Sequence, residues 1–416
     1  MGKIKQLTAR EILDSRGSPT VEVRLVTDAD SVVSASCPSG KSIGTYEAVE
    51  LRDNDANRFK GQGVTHAIEN IEKVIAPKLI GMDIESQAQI DKAMIELDGT
   101  PNKAKLGANA ILPVSIAVAR AAALQKQVPL YKYLRQFVKS KAPMKVPIPL
   151  FNLINGGLHA GKNLDMQEFI VVPASFKSYS DGLQLGFVIY QTLRELLKAN
   201  DLTTLVGDEG GFAPPLGANE EALEFLSEAV AKTNVRLGYD IFLGIDAAAS
   251  NFYDGKTYRL KERKSLLTNS DLVSEYVTLI KKYHILYLED PFAEDDWDGW
   301  TALTAQVEGT IVTGDDLVAT NLFRLATAIE KKAITGIIIK PNQIGTVIES
   351  LAVVEAAREA GLKIIVSHRS GETNDDFIAD LAVAVSADYC KFGAPVRGER
   401  VAKYNRLLQI EQELKG

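Results

Sequence analysis

Leu286-Tyr287-Leu288-Glu289, Ile311-Val312-Thr313-Gly314-Asp315, Ile337-Ile338-Ile339-Lys340, Ile364-Ile365-Val366-Ser367-His368 and Asp388-Tyr389-Cys390-Lys391 share one design. Each is a short, mostly apolar run that stops at a residue with chemistry. Phe242-Leu243-Gly244-Ile245-Asp246 is an earlier run of the same kind. The last five end residues are 26, 25, 28 and 23 positions apart, room for a strand, a helix and two loops. Short apolar runs separated by helical patterns read as buried parallel strands. A polar residue at each carboxyl end is the signature of the top face of a (β/α) barrel. The expected fold is α/β: an N-terminal α+β domain, then a (β/α)8-type TIM-like barrel that opens with an antiparallel strand pair.

Upstream, residues 148–152 and 167–172 read as strands with no helix-sized insert between them, hence the antiparallel opening. Helical patterns follow at residues 179–200 and 219–233. Between them lies the Gly-rich loop Val206-Gly207-Asp208-Glu209-Gly210-Gly211. Residues 139–149 hold three lysines and three prolines and read as a linker. The predicted division is therefore residues 1–138 and 139–416. In the first part, Val21, Val23 and Leu25 alternate with Glu22 and Arg24, the period of a strand with one wet face. Residues 3–37 read as a three-stranded meander. Residues 64–80, 86–97 and 106–127 carry helical spacing, and Pro113 is expected to kink or split the last of these. Residues 401–414 read as a C-terminal helix.

The chain has 416 residues, too many for one average domain. Its formal net charge of −7 argues against nucleic acid or an anionic membrane as a general partner. Two cysteines make no disulfide framework, which fits a reducing compartment. Met1-Gly2-Lys3-Ile4-Lys5 runs straight into an alternating pattern, so no leader is expected. No run of 18 apolar residues suggests a membrane span. The expectation is a cytoplasmic protein.

Asp246, Glu289 and Asp315 close strands that a barrel makes neighbours. Three carboxylates converging there repel one another unless a cation sits between them. All-oxygen ligands with open positions suit Mg²⁺. Taken singly, each acid reads as well as an N-cap. Lys340 and Lys391 close later strands. They read either as a base tuned by neighbouring cations or as salt-bridge partners of the acids. His368-Arg369-Ser370 offers a cationic fork and a hydroxyl suited to a phosphate, or a polar loop before the next helix. His159 and Glu168 belong to the same face, and Glu209 is a candidate general acid. Together these groups suit abstraction of a proton alpha to a carboxylate, where dense fixed positive charge has to stabilise the extra negative charge.

At the level of longer motifs, the chain resembles the enolase family. The resemblance rests on Asp14-Ser15-Arg16-Gly17-Ser18-Pro19-Thr20-Val21-Glu22-Val23, Leu106-Gly107-Ala108-Asn109-Ala110, Val206-Gly207-Asp208-Glu209-Gly210-Gly211, Leu288-Glu289-Asp290-Pro291-Phe292, Gly314-Asp315-Asp316-Leu317, Lys340-Pro341-Asn342-Gln343-Ile344-Gly345-Thr346 and Ser367-His368-Arg369-Ser370-Gly371-Glu372-Thr373. It implies reversible dehydration of 2-phosphoglycerate to phosphoenolpyruvate in glycolysis. It implies a first, conformational Mg²⁺ on Asp246, Glu289 and Asp315, and a second that arrives with substrate on Ser42. By the same resemblance Lys340 is the base at C2 and Glu209 the acid at the C3 hydroxyl, with Glu168 beside it. Lys391 holds the carboxylate, Arg369 and Ser370 the phosphate, and His159 and His368 lie near the phosphate and leaving group.

Two departures stand out. The family's Gly-Ala-Ser-Thr-Gly loop reads Gly40-Lys41-Ser42-Ile43-Gly44 here, and Lys41 is expected to turn toward the substrate's anionic side. Arg10 and Glu399 match a family ion pair between subunits, whereas Gln409 stands where Glu22 usually finds an arginine; a homodimer is expected. Two alternatives remain: another superfamily enzyme acting on a non-phosphorylated acid, and a non-catalytic or moonlighting binding protein. His368-Arg369-Ser370 and the Ser42 loop speak against the first of these, because both serve a phosphate.

Overall fold

A computed structural model describes residues 2–41, 44–140 and 142–416. β1 (Ile4–Leu13), β2 (Pro19–Thr27) and β3 (Val32–Ser36) form the antiparallel meander. Its first turn is tied by Asp14, whose carboxylate accepts the amides of Arg16 and Ser18 at 2.8 and 2.9 Å. Val21, Val23 and Leu25 are fully buried against the helix Ala108–Gln125. That helix runs through Pro113 without a break, so the expected split does not occur. Pro113 costs the ladder one hydrogen bond, whereas every residue from 108 to 119 is buried, so packing on all sides holds the helix together. The helix meets the length and hydropathy of a membrane span but is the core of this part of the protein. Residues 65–79 form one helical stretch with a π turn at Ile71–Ile75.

β4 (Ile148–Asn155), β5 (Glu168–Pro173), β6 (Ile241–Asp246), β7 (Ile285–Glu289), β8 (Ile311–Gly314), β9 (Gly336–Ile339), β10 (Lys363–Ser367) and β11 (Tyr389–Lys391) close into a barrel. β5 is antiparallel to both β4 and β6, and the other pairs are parallel. Reversal of one strand has a functional result. The first residue of β5, Glu168, lies opposite Asp246 and Asn155, which end their own strands. A residue that starts its strand thus joins the rim built from strand ends.

The barrel interior is filled by Leu150, Ile170, Val172, Tyr287, Ile311, Ile338, Ile365 and Tyr389, a packed core with no pore. Outer faces of the strands pack on helices such as Tyr179–Ala199, Asn269–Tyr283 and Val347–Glu359. Thr268 and Asp271 form a capping box at the second of these.

The N-terminal part caps the third. The amide of Val347 donates to Ser115 Oγ at 3.0 Å and that of Ile348 to Asp91 Oδ2 at 3.1 Å, while Gln87 Nε2 donates to Asp91 Oδ1 at 3.0 Å. Val347–Glu359 follows the segment that begins with Lys340, so this cap anchors the site. Burial pushes the Asp91 carboxyl up to about 7, against three hydrogen bonds that lower it. The folded protein therefore holds this proton more tightly than the unfolded chain, and stability falls as pH rises from about 4 to about 7. Urea unfolding of wild type and Asp91→Asn across that range should give curves whose gap changes by up to roughly 4 kcal/mol. Parallel curves would refute the assignment.

Candidate active site

Asp246, Glu289 and Lys391 end β6, β7 and β11; Asp315, Lys340 and His368 follow directly on β8, β9 and β10. Strands this short place the end residues at one rim, whatever lies in the loops. Ser42, the expected ligand of a second metal, lies outside the described residues.

The acids gather around two ammonium groups instead of facing one another. Lys391 Nζ is 2.9 Å from Asp246 Oδ2, 2.7 Å from Glu289 Oε2 and 3.0 Å from Glu168 Oε2. Lys340 Nζ donates to Asp315 Oδ2. Of the two readings of these lysines, the structure displays the salt-bridged one. Burial opposes the charge of both, yet the acids win and raise both above the ordinary lysine value. The cavity at this rim is only about 20 Å³, lined by Lys41, His159, Glu168, Glu209, Asp246 and Asp315 among others. Cations folded onto carboxylates fill the room a ligand would take.

One lysine does not balance its neighbours. Burial first, and Asp246 next, hold the Glu289 carboxyl well above the usual carboxylate range. Its Oε1 is buried and has no hydrogen-bond partner among the described residues, while Oε2 accepts from Tyr287. An unpartnered buried carboxylate oxygen suits a hard divalent cation, while the three acids whose oxygens already lie within 4.8 Å of one another among the described residues are Asp290, Asp315 and Asp316. Gln167 Nε2 donates to Asp246 Oδ2 at 3.3 Å and Gln343 Nε2 to Asp315 Oδ1 at 3.0 Å, so both acids are oriented from behind. Asp290 accepts the amides of Asp315 and Asp316 at 3.0 and 2.9 Å and fixes the loop carrying Asp315.

Adjoining these acids through Glu168 lies a cluster of carboxyls and histidines. His159 Nδ1 is 3.3 Å from Glu168 Oε1 and 3.6 Å from Glu209 Oε1, and His368 Nε2 is 3.1 Å from Glu209 Oε2. Asn152 Nδ2 donates to Glu209 Oε2 at 3.2 Å. All of these side chains are buried. Burial and the charge of Glu209 push Glu168 up to about 7. Burial would raise Glu209 too, but His368 and His159 hold it well below the ordinary range. Glu209 was expected to be the acid with Glu168 beside it; here Glu168 holds the proton more tightly of the two. Gly393 makes this approach possible. At φ +82, a Cβ there would sit 2.7 Å from the Glu209 carbonyl and 2.9 Å from His368 Cε1.

Arg369 is buried and forked onto Glu47, with Nη1 2.7 Å from Oε2 and Nη2 3.2 Å from Oε1. Ser370 Oγ accepts from Arg16 Nη1 at 3.5 Å. Lys41 turns to Asp208, Nζ to Oδ2 2.6 Å, across the rim cavity it lines. In this structure the anion it meets is therefore the neighbour of Glu209. Arg10 pairs with Glu22 of the same chain, and Glu399 with Arg397 at 2.8 Å. Glu47, Gln167, Gln343, Asp290 and Arg400 were not singled out from sequence. Asp290 and Gln343 do stand inside the quoted motifs, which was the available signal; Glu47 and Arg400 stand outside them.

Fold and rim define the class: a TIM-barrel protein of the enolase superfamily, capped by an antiparallel α+β part. Two family models cover the chain, "Enolase, N-terminal domain" over residues 4–134 and "Enolase, C-terminal TIM barrel domain" over residues 143–416. The chain belongs to the enolase family. Membership implies Mg²⁺ dependence, which the carboxylate set and the unpartnered Glu289 oxygen fit.

Proposed function

We propose that this protein is a hydro-lyase that interconverts 2-phosphoglycerate and phosphoenolpyruvate. The observation that carries the reading is a rim with two adjoining sets of groups that meet at Glu168: cations and metal-type acids in one, carboxyls and histidines in the other. Bound at Asp246, Glu289 and Asp315, Mg²⁺ would supply positive charge to the substrate carboxylate. Lys391, already held by three acids, adds a fixed ammonium on that side. Lys340 is the base at C2. Its present bond to Asp315 keeps it protonated, so it can accept a proton only once that pair is relieved.

The hydroxyl at C3 leaves toward Glu209, Glu168 and His159, which lie together. With one carboxyl near 7 and one far below, this group holds a proton at neutral pH and can pass it to a departing hydroxide. Arg369 and Ser370 bind the phosphate, and Glu47 holds the guanidinium in place until then. Lys41 lies close enough to join them when it leaves Asp208. The same reading makes the protein a cytoplasmic enzyme of glycolysis, supported by two free, buried cysteines. A homodimer fits the cleft of about 700 Å³ edged by Glu22 and Glu399.

The direct test is phosphoenolpyruvate absorbance on adding 2-phosphoglycerate, with Mg²⁺ and with excess chelator. Absorbance that grows only with Mg²⁺ supports the reading. No product in either arm would favour another superfamily substrate or a binding role.

A further inference from the structure

Arg400, near the start of the helix Gly398–Lys415, is fully buried beside the site. Its Nη1 lies 2.8 Å from His368 Nδ1 and 2.6 Å from the Arg369 carbonyl. Its Nη2 donates to the carbonyls of Ser370 at 2.6 Å and Asp208 at 3.2 Å. Four donors thus meet four acceptors from two loops, one carrying Glu209 and one carrying the expected phosphate ligands.

One of those contacts has a strict chemical meaning. A guanidinium has five N–H donors and no acceptor, and it keeps its proton in proteins. His368 Nδ1 must therefore be the acceptor, and a neutral ring then carries its hydrogen on Nε2. Nε2 is the atom nearest Glu209 Oε2, at 3.1 Å, although it makes no aligned hydrogen bond among the described residues. We propose that Arg400 is a positioning residue of the reaction, which fixes His368 as the Nε2-protonated tautomer with that nitrogen beside Glu209.

The surroundings agree. The groups facing His368 are Glu209 from the Gly-rich loop, Lys391 from β11 and Arg400 from the C-terminal helix. Burial, with the two cations and against Glu209, keeps the ring neutral, with a pKa of about 3. His368 is then a neutral ring whose hydrogen is fixed on Nε2 at neutral pH. Proton exchange with the leaving group falls to Glu209, Glu168 and His159. This deepens the proposed function and rests on it, but the tautomer itself is a property of the free protein.

The chain has four histidines, so two-bond ¹H–¹⁵N correlations of the full-length, substrate-free protein are tractable, with His368→Gln assigning the signal. In wild type, His368 should show an unprotonated Nδ1 and a protonated Nε2 between about pH 6 and 8. Arg400→Lys, whose ammonium also only donates, should keep that pattern. Arg400→Gln, whose amide can donate or accept, should populate the second tautomer. Its kcat should fall about 10–100-fold, as for other orienting partners, with KM moving less. A protonated Nδ1 in wild type overturns the proposal before any variant is made. A Gln variant that loses kcat but keeps the wild-type tautomer would reduce Arg400 to a tie between loops. If the tautomer is as stated and 2-phosphoglycerate is not turned over, it is the functional reading that fails.

Discussion

Replacing Lys340 with Ala is expected to lower turnover of 2-phosphoglycerate by about 10²–10⁴-fold and to end exchange of its C2 proton with solvent. Glu209→Gln is expected to lose dehydration to a similar extent while keeping part of the exchange. The asymmetry follows from the geometry. Lys340 stands on the side of Asp315, and Glu209 on the side of Glu168 and the two histidines. No hydrogen bond or ion pair links Lys340 to that second group among the described residues, so removing one is expected to leave the other in place. Glu168→Gln should resemble Glu209→Gln, because the carboxyl with the higher affinity for the proton lies there.

Exchange is read by mass spectrometry of substrate recovered from deuterated buffer, and product by absorbance. Removing Lys340 also leaves Asp315 buried without its ammonium, at a cost of about 3–5 kcal/mol. Thermal melts of each variant are therefore needed, and a folded, inactive Lys340→Ala is the expected outcome. Equal loss of exchange in all three variants would mean that the two sides of the site do not divide the work as stated.

The second large effect concerns the metal. Asp246→Ala, Glu289→Ala and Asp315→Ala are each expected to lower kcat about 10³-fold, because several kcal/mol of charge stabilisation are lost at the substrate carboxylate. Activity alone would not separate a lost metal from a lost fold. Mg²⁺ should raise the melting temperature of wild type, since a ligand that binds only the folded state stabilises it. The rise should vanish in Glu289→Ala.

The metal-free comparison gives a further sign. Glu289 is buried beside Asp246, and its carboxyl is held well above its usual range. Its removal relieves repulsion, although Lys391 loses one of three carboxylate partners. Metal-free Glu289→Gln should therefore melt no lower than metal-free wild type, and clearly lower once both are given Mg²⁺. Full turnover in excess chelator, or the same Mg²⁺ shift in wild type and variant, would remove the metal from this account.

Much of this architecture was legible in the chain. Runs such as Ile337-Ile338-Ile339-Lys340 announce buried strands, because β-branched residues on both faces suit a sheet covered on both sides. Their regular spacing announced the barrel, and their last residues announced the rim. The caps that Thr268 and Asp271, and Thr346 and Glu349, form were not read from the sequence. The break expected at Pro113 failed because a local rule met burial on every side. The sequence marks where proline sits but not how completely the helix around it is enclosed.

What the chain by itself determined is therefore the set of chemical groups and their arrival at one rim. Periodicity is local, and strand ends inherit their place from it. What only the tertiary structure decided is how those groups are partnered. Glu47 reaches Arg369 from 322 residues away, and Arg400 reaches His368 from the last helix. Glu168 enters the rim because β5 runs against its neighbours. Lys391 lies among three acids from three strands. Charge and hydrogen bonding act over a few ångströms of space, without regard to distance along the chain. The difference between Glu168 near 7 and Glu209 far below it arises from neighbours that folding alone brings together.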